Sequence, residues 1–236
     1  LTSESAFETS RIKTATGCVI PITGVVPDLS ALESLTGSTL TVTGASVDLS
    51  GVTTLVGTSV SAASGTVDLR NATTIDGGSV TLVGGGSVDL RSLASADGAS
   101  FVVREGATLS LPLTSYDAGA APITVRFESS GVGSRLELPA LTTVRGARYG
   151  THPVDGMGRM NVTVTAGGVL AAGSLLRIVD GHVSLRVDDA GSRAELPLLE
   201  NWTSTAAQGA LSSSDNGTVL LAETRITLSN VTVTAT

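Results

Sequence analysis

Four aspartates recur at nearly constant spacing, and they are the residues of this sequence best placed to do chemistry. They are Asp28, Asp48, Asp68 and Asp89, at steps of 20, 20 and 21 positions. In stacked strands, such a spacing places the carboxylates in one outward column, where like charges repel. A structural ladder neutralised by arginine, a row of Ca²⁺ ligands, and paired catalytic carboxylates as in polysaccharide-cleaving enzymes all fit this pattern.

The surrounding residues favour the structural ladder. Arg70 and Arg91 each follow an aspartate of the column by two positions, which places them on the same face of a strand. The equivalent positions later in the chain include Ser110 and Ala171, so the acidic column is not continued. We therefore predict no resident cofactor, with Ca²⁺ at the aspartates as the alternative.

Asparagine forms a second motif, because every asparagine of the chain stands in an N-x-T triplet without proline. The five are Asn71, Asn161, Asn201, Asn216 and Asn230. Each is an acceptor sequence for N-glycosylation, which occurs on secreted proteins. A threonine-rich β protein would contain one or two such triplets by chance, but hardly five. The pattern predicts a glycosylated protein that is secreted to the extracellular space or the cell surface.

Cysteine and histidine are too sparse to specify a site. Cys18 is the single cysteine, and it is interpreted either as a small buried hydrophobic residue or as the source of an intermolecular disulfide. His152 and His182 are the only histidines, and neither has the ligand spacing of a metal site. We interpret both as loop or packing residues, and no phosphate-binding loop or nucleophile elbow is present.

The aspartates belong to a repeated sequence motif, here called the repeated phrase, that predicts the fold. Clear copies are VPDLSALESL at 26–35, VDLSGVTTL at 47–55, VDLRNATTI at 67–75 and VDLRSLASA at 88–96, and five weaker copies follow. A constant step with occasional expansion is typical of stacked coils whose insertions lie in outer loops. The prediction is an all-β, right-handed parallel β-solenoid (β-helix) of about nine coils of 20 to 34 residues.

Alternation within each coil predicts which side chains face the interior. Val47 and Leu49 point inward and Asp48 points outward, while the spacing of Leu49, Val52 and Leu55 indicates a sharp bend. A second alternating run in each coil carries outward hydroxyls. These are Thr39, Thr41 and Thr43, then Ser59 and Ser61, then Ser79 and Thr81. They form a solvated strand face or, less favoured, an ice-binding surface, and the rows break at Val102 and Arg104.

The chain is divided into two parts. Residues 1–25 are predicted to form an N-terminal cap or an assembly arm, because the repeat is absent over most of them. Residues 26–236 form a single β-solenoid with expanded coils after about residue 116. The last residues still have the pattern of a strand, so stacking of copies head to tail is expected.

Composition excludes two classes of partner. The chain carries a net charge of −7, and Lys13 is its single lysine, so a nucleic-acid-binding stripe is not expected. No stretch of about 18 apolar residues exists, so no membrane span is expected. Hydrophobic residues make up 41% and aromatic residues 3%, which is typical of a thin aliphatic core.

The segment LELPALTTVRG at 136–146 shows a resemblance to known families. It resembles repeats of receptor L-domain-like and cell-wall-associated β-helix proteins, and the wider pattern over residues 26–226 resembles the degenerate β-helical repeats of secreted, adhesin-like surface proteins. The resemblance implies a surface or matrix role and brings no catalytic residue with it.

The function predicted from the sequence is a non-enzymatic extracellular structural glycoprotein, a rod-like building block of a filament, wall, matrix or appendage. Its partners would be copies of itself or other matrix components. The alternative is an adhesin or glycan-binding module that uses the loops at 116–134 and 145–158. Only Tyr116, Phe127, Tyr149 and Trp202 are available in that half of the chain for stacking sugars, which is few for such a role. A polysaccharide lyase or hydrolase is the third interpretation.

Overall fold

The protein is built almost entirely of short parallel strands. The structure, a computed structural model, describes residues 9–119, 124–148, 158–204, 209–221 and 225–236. A single 3₁₀ turn, Thr9–Arg11, precedes the strands. No helix of the described residues is long and apolar enough to cross a membrane.

The strands follow one another in threes along the chain. The first thirteen are β1 Thr14–Thr16, β2 Val19–Thr23, β3 Ser34–Thr36, β4 Thr39–Thr43, β5 Ser46–Asp48, β6 Thr54–Val56, β7 Ser59–Ala63, β8 Thr66–Asp68, β9 Thr74–Asp76, β10 Ser79–Val83, β11 Ser87–Asp89, β12 Ser100–Arg104 and β13 Thr108–Ser110. The remaining ones are β14 Ser115–Asp117, β15 Thr124–Ser130, β16 Arg135–Glu137, β17 Thr143–Arg145, β18 Arg159–Thr165, β19 Val169–Ala171, β20 Arg177–Val179, β21 Val183–Asp188, β22 Arg193–Leu196, β23 Asn201–Thr203, β24 Gly209–Ser214, β25 Thr218–Leu221, β26 Thr227–Ser229 and β27 Val231–Ala235.

Three strands separated by bends give each coil three faces. Face 1 is a ten-stranded sheet of the longer strands, in the order β2-β4-β7-β10-β12-β15-β18-β21-β24-β27. Face 2 consists of β5-β8-β11 followed by β13-β16-β19-β22-β25, and face 3 consists of β1-β3-β6-β9 followed by β14-β17-β20-β23-β26. Within each of these sheets, neighbouring strands pair in parallel, whereas no pairing joins β11 to β13 or β9 to β14 in the described part of the chain. The predicted all-β parallel solenoid of about nine turns is therefore confirmed.

The register of face 1 is continuous along the molecule. One inward column contains the aligned residues Ile20, Leu40, Val60, Val80, Phe101, Phe127, Val162, Leu185, Leu211 and Val233. The step between neighbours is 20 or 21 residues up to Phe101 and then varies between 22 and 35. The added residues lie between strands, so the coils lengthen without any break in the ladder.

The register of face 2 agrees with the alignment that the repeat predicted. Asp48 is aligned with Asp68, and Asp68 with Asp89. After the interruption between β11 and β13, a second column continues through aligned partners. Its members are Ser110, Glu137, Ala171 and Glu195. The alternation and the bend are confirmed as well, because Val47, Leu49, Val52 and Leu55 are all buried.

The interior is a narrow aliphatic core with a few rings in its wider half. Val, Leu, Ile and Ala fill most inward positions, and the largest fully buried side chains include four aromatic ones. The Phe127 ring lies 5.4 Å from that of Phe101 and 4.7 Å from that of Tyr116, in edge-to-face contact. Tyr116 donates a hydrogen bond from its hydroxyl to the carbonyl of Ala99 at 2.7 Å. Together these rings fill the coil at the point where the turns lengthen.

The stack of coils begins earlier than the repeat suggested. Strands β1 and β2 lie within residues 1–25, the segment predicted to be a cap or arm, yet they pair with β3 and β4 in register. Their sequence shares the alternation of the later coils but not the repeated phrase, so the repeat alone did not indicate these two strands. The residues before Thr9 lie outside the described part of the chain. The right-handed sense of the coil stays a prediction from the general preference of parallel connections.

Candidate functional site

The acidic column is built from a repeated turn at the end of a face 2 strand. In each coil the aspartate Oδ1 accepts a hydrogen bond from the backbone N–H two residues later. The four donors are the amides of Ser30 at 3.1 Å, Ser50 at 2.9 Å, Arg70 at 3.1 Å and Arg91 at 3.2 Å. This bond stabilises the bend that directs the chain towards face 3. Aspartate is therefore placed here by the geometry of the turn.

Arginine neutralises the column where the sequence predicted it would. Arg70 Nε lies 2.9 Å from both carboxylate oxygens of Asp68, and Arg91 Nε lies 3.0 Å from both oxygens of Asp89. These side-chain hydrogen bonds lower the pKa of both aspartates. Asp48 has no such partner, and hydrogen bonds from Ser50 lower its pKa instead.

The electrostatics of this column suit a structural ladder better than the two chemical alternatives. Glycosidic cleavage needs a general acid whose pKa is raised, whereas hydrogen bonds hold the pKa of Asp28, Asp48, Asp68 and Asp89 below the ordinary value. Within the described ranges, no group of three His, Cys, Asp or Glu side chains could hold a metal ion. Ca²⁺ at this column stays a prediction without a ligand cluster to support it.

Face 1 changes character along its length. In β4, β7 and β10 the outward positions are hydroxyl-rich, and Thr41, Ser61 and Thr81 are aligned partners. From β12 onward the same columns contain charged residues, beginning with Arg104. The hydroxyl rows therefore extend over three coils and do not continue over the face.

The charged half of face 1 is organised around two nearly buried carboxylates. Glu128 accepts hydrogen bonds from Arg104 Nε at 2.6 Å and from Arg126 Nη1 at 3.2 Å. Only 11% of the Glu128 side chain is exposed. Asp188 is paired with Arg186 and also accepts a hydrogen bond from the hydroxyl of Ser214. The carboxylates are thus covered, while the guanidinium groups remain at the surface.

A shallow polar depression of about 400 Å³ lies between these ion pairs. Its lining residues are Arg126, Glu128, Asn161, Val162, Thr163, Ser184 and Arg186. The outward residues come from three adjacent strands, since Arg126 is aligned with Asn161 and Ser184, and Glu128 with Thr163 and Arg186. The short middle residues form the floor, and the two arginines stand at diagonally opposite corners. We call this feature the face 1 depression.

The face 1 depression is not evident from the sequence. Its residues span 60 positions of the chain, from Arg126 to Arg186, and the connection before β18 has the longest step along face 1. The available signal was the alternation within each of β15, β18 and β21. Aligning these strands by their inward residues Phe127, Val162 and Leu185 would have brought the outward residues together.

The aromatic residues proposed for sugar stacking are not at the surface. Tyr116, Phe127 and Trp202 are each at most 2% exposed, because all three occupy inward positions of their strands. Tyr149, and with it much of the loop at 145–158, lies outside the described residues. The prediction that these three rings are available for stacking is therefore wrong.

The five N-x-T asparagines occupy different environments. Asn71, Asn216 and Asn230 are exposed at bends. Asn161 and Asn201 are half-buried in strands, and the Oδ1 atom of Asn201 is buried without a hydrogen-bond partner. Asn216 and Asn230 have positive φ angles of 65° and 58°, which asparagine tolerates better than most residues. Turn geometry therefore gives a second reason for asparagine at these two positions.

Cys18 belongs to a column of small polar residues at the corner between faces 3 and 1. Its Sγ donates to the carbonyl of Thr16 at 3.4 Å, just as the hydroxyls of Ser38 and Thr58 donate two residues back at 2.9 and 3.1 Å. The backbone N–H of Cys18 donates to Ser38 Oγ at 3.1 Å. These contacts favour a packing role for Cys18, and an intermolecular disulfide stays a prediction.

Among the residues that the structure describes, His182 belongs to no cluster of potential metal ligands. His152 lies outside the described residues. His182 is half-buried at the corner between β20 and β21, and its Nδ1 has no hydrogen-bond partner. Burial, assisted by the nearby Arg159, lowers the pKa of His182. A neutral, packed imidazole is consistent with the predicted packing role.

Comparisons of the chain with protein-family models, with curated proteins and with solved structures found no match. The resemblance to adhesin-like and receptor L-domain-like repeats therefore rests on the phrase at 136–146 and stays a prediction. The interpretation of the site depends on its geometry.

Proposed function

We propose that this chain is a non-enzymatic extracellular structural glycoprotein, a rod-like building block of a filament, wall, matrix or surface appendage. The observation that carries the proposal is the unbroken face 1 column of ten aligned residues from Ile20 to Val233. Nine steps at about 4.8 Å each give a rod about 43 Å long. A rod with an uninterrupted ladder, and with its acidic residues engaged in turns and ion pairs, suits a load-bearing or spacing role.

Assembly of copies is part of this proposal. Coils pair with each other through parallel backbone hydrogen bonds, and the same bonds can join a coil of one copy to a coil of the next. Electron microscopy of the native protein, with and without reductant, tests this. Regular fibres support the proposal, and fibres that disappear on reduction assign the junction to Cys18. Separate short rods at high concentration contradict assembly.

N-glycosylation is the part of the proposal that places the protein outside the cell. Intact-glycopeptide mass spectrometry of native material measures the occupancy of each asparagine. We expect the highest occupancy at Asn71, Asn216 and Asn230, because these side chains are exposed at bends. Lower occupancy is expected at Asn161 and Asn201, which are half-buried. A protein without glycan at any of the five contradicts the extracellular assignment.

An adhesin or glycan-binding module is the second candidate function. The observation that favours it is the face 1 depression, a polar recess between two exposed arginines. A lyase or hydrolase acting on polysaccharides is supported less, because the aspartates of the column have lowered pKa values. Incubation with acidic polysaccharides distinguishes the two, since a binding module leaves the chain length of the polysaccharide unchanged.

A further inference from the structure

We propose that the face 1 depression binds an acidic polysaccharide, with Arg126 and Arg186 pairing with carboxylate or sulfate groups of the sugar chain. This inference goes beyond the structural role and depends on neither assembly nor the exposed glycosylation sites. Four observations support it: the availability of the two arginines, the local charge, the lining of the depression, and the position of Asn161.

The two arginines retain donors that can face a ligand. Arg126 makes one side-chain hydrogen bond, from Nη1 to Glu128, and Arg186 is bound to Asp188 through Nε. Their side chains are 52% and 64% exposed. A guanidinium has five N–H donors, so several remain for a carboxylate or sulfate. The carboxylates beneath the arginines orient them and reduce the entropy lost on binding.

The local charge of this region is less negative than that of the whole chain. Strands β12, β15, β18, β21 and β24 contain four arginines, Arg104, Arg126, Arg159 and Arg186, and two acidic residues, Glu128 and Asp188. These strands alone carry a net charge of +2, and Glu105 and Asp189, which directly follow β12 and β21, bring the local sum to zero, whereas the whole chain carries −7. Two arginines share the carboxylate of Glu128, so the charge of the exposed Arg126 is only partly compensated within the depression.

The lining of the depression favours a sugar chain over other anionic polymers. Asn161, Thr163 and Ser184 form the floor with an amide and two hydroxyl groups, which both donate and accept hydrogen bonds as sugar hydroxyls do. Single-stranded nucleic acids are bound by stacking on aromatic rings, and no aromatic side chain lines this depression.

The position of Asn161 makes the proposal sharply testable. Its side chain lies on the floor of the depression, between Arg126 and Ser184 in the aligned column. A glycan attached to this asparagine would fill the depression and exclude a ligand. Acidic polysaccharide binding therefore requires Asn161 to be unmodified, in agreement with its half-buried environment.

The direct test is isothermal titration calorimetry of the full chain with an oligogalacturonate and with a sulfated oligosaccharide. A neutral oligosaccharide of equal length is the control ligand. We expect binding of at least one acidic ligand, no detectable binding of the neutral one, and weaker binding as salt is raised. The double substitution of Arg126→Gln and Arg186→Gln should weaken binding by about tenfold or more, because two charge-assisted contacts are lost.

The matched control is the double substitution of Arg70→Gln and Arg91→Gln on face 2. These arginines are similarly exposed and, like Arg126 and Arg186, each is paired with a carboxylate. The net charge of the chain changes equally in the two double variants. Binding should remain within about twofold of the unsubstituted chain. A third variant, Ser184→Tyr, fills the depression without removing an ion pair and should also abolish binding. Circular dichroism and thermal unfolding check that each variant folds.

Four outcomes would overturn the proposal. The first is that neither acidic ligand binds, and the second is that the face 2 variant loses as much affinity as the face 1 variant. The third is equal affinity for duplex DNA, which would reduce the site to unspecific charge attraction. The fourth is complete glycosylation of Asn161 in native material. None of these results bears on whether the rods assemble, so the structural function is tested separately.

Discussion

At the scale of single residues, the aspartates of face 2 show how a residue suited to catalysis can serve a turn instead. Asp68 has two kinds of partner: its Oδ1 accepts from the backbone of Arg70, and both oxygens contact the Arg70 side chain. The first contact stabilises the bend of the backbone. The second lies at the surface, where ion pairs contribute little.

Substitutions at Asp68 separate these two contacts. Asp68→Asn keeps an oxygen for the turn and should change the free energy of unfolding only slightly. Asp68→Ala removes the acceptor and should cost about 1 kcal/mol, as loss of a comparable capping side chain does. Urea denaturation measures both. Arg70→Gln is the control for the ion pair alone, and a loss there as large as that of Asp68→Ala would contradict the turn as the main role.

His182 predicts how stability depends on pH near neutrality. Its pKa in the folded protein is lowered by burial and by Arg159, below the ordinary value of about 6.5 that it has in the unfolded chain. The unfolded state therefore binds the proton first as the pH falls. The contribution of His182 to the free energy of unfolding is fully present above about pH 6.5. It is lost as the pH falls from there to the lower pKa of the folded protein.

The measurement is thermal unfolding of the protein and of His182→Gln between pH 8 and pH 5. We expect the unfolding temperature of the protein to fall below about pH 6.5 and that of the variant to stay flatter. Extended below about pH 4, the same measurement should show both proteins losing stability, because the unfolded chain protonates Asp68 and Asp89 before the folded protein, which has lowered pKa values, does. Equal pH dependence of the two proteins between pH 8 and 5 would exclude His182 as the cause.

At the scale of elements, the corner between faces 3 and 1 illustrates how closely the coils stack. Ser38 and Thr58 occupy this corner with buried hydroxyls, and Gly78 is the next member of the column. A Cβ atom on Gly78 would lie 2.1 Å from the carbonyl oxygen of Thr58, and its φ of 75° is unfavourable for other residues.

Gly78→Ala is therefore expected to destabilise the protein strongly, by about 2 kcal/mol or more, because both a backbone clash and strain result. Gly57→Ala is the matched control. Gly57 has a φ of 55° but its Cβ would meet no atom closer than 4.0 Å, so only the backbone strain applies. Comparison of the two unfolding free energies isolates the effect of the clash. Equal losses would show that strain alone determines the cost.

The strands and their register could be predicted from the sequence, but the face 1 depression that neighbouring strands form could not. Alternation and the Asp48, Asp68, Asp89 step predicted the register that the structure has, because each coil buries the same inward positions. The stacking role given to Trp202 was wrong, although its neighbours Asn201 and Thr203 showed that it faces inward. The face 1 depression was missed because it depends on lateral alignment across an expanded coil, where the spacing is no longer constant.

At the scale of the whole molecule, the two halves of the rod differ in how tightly the core is packed. The regular coils contain small and medium aliphatic residues in a repeating arrangement, for example Val60 and Ala62, both buried. The expanded coils enclose an apolar void of about 30 Å³ lined by residues that include Phe127, Met160 and Val183. Insertions widen these turns, and the side chains there do not completely fill the added space.

This difference predicts opposite effects for the same substitution in the two halves. Val183→Ile adds one methylene next to the void and should stabilise the protein by about 0.8 kcal/mol. Val60→Ile, at a fully buried position of the aligned inward column in a regular coil, has to insert its methylene among packed neighbours and should destabilise the protein by about 1 kcal/mol or more. Urea denaturation of both variants measures the difference. Destabilisation by both would mean that the expanded coils are packed as tightly as the regular ones. The added residues of these coils would then alter the surface of the rod but not the packing of its core.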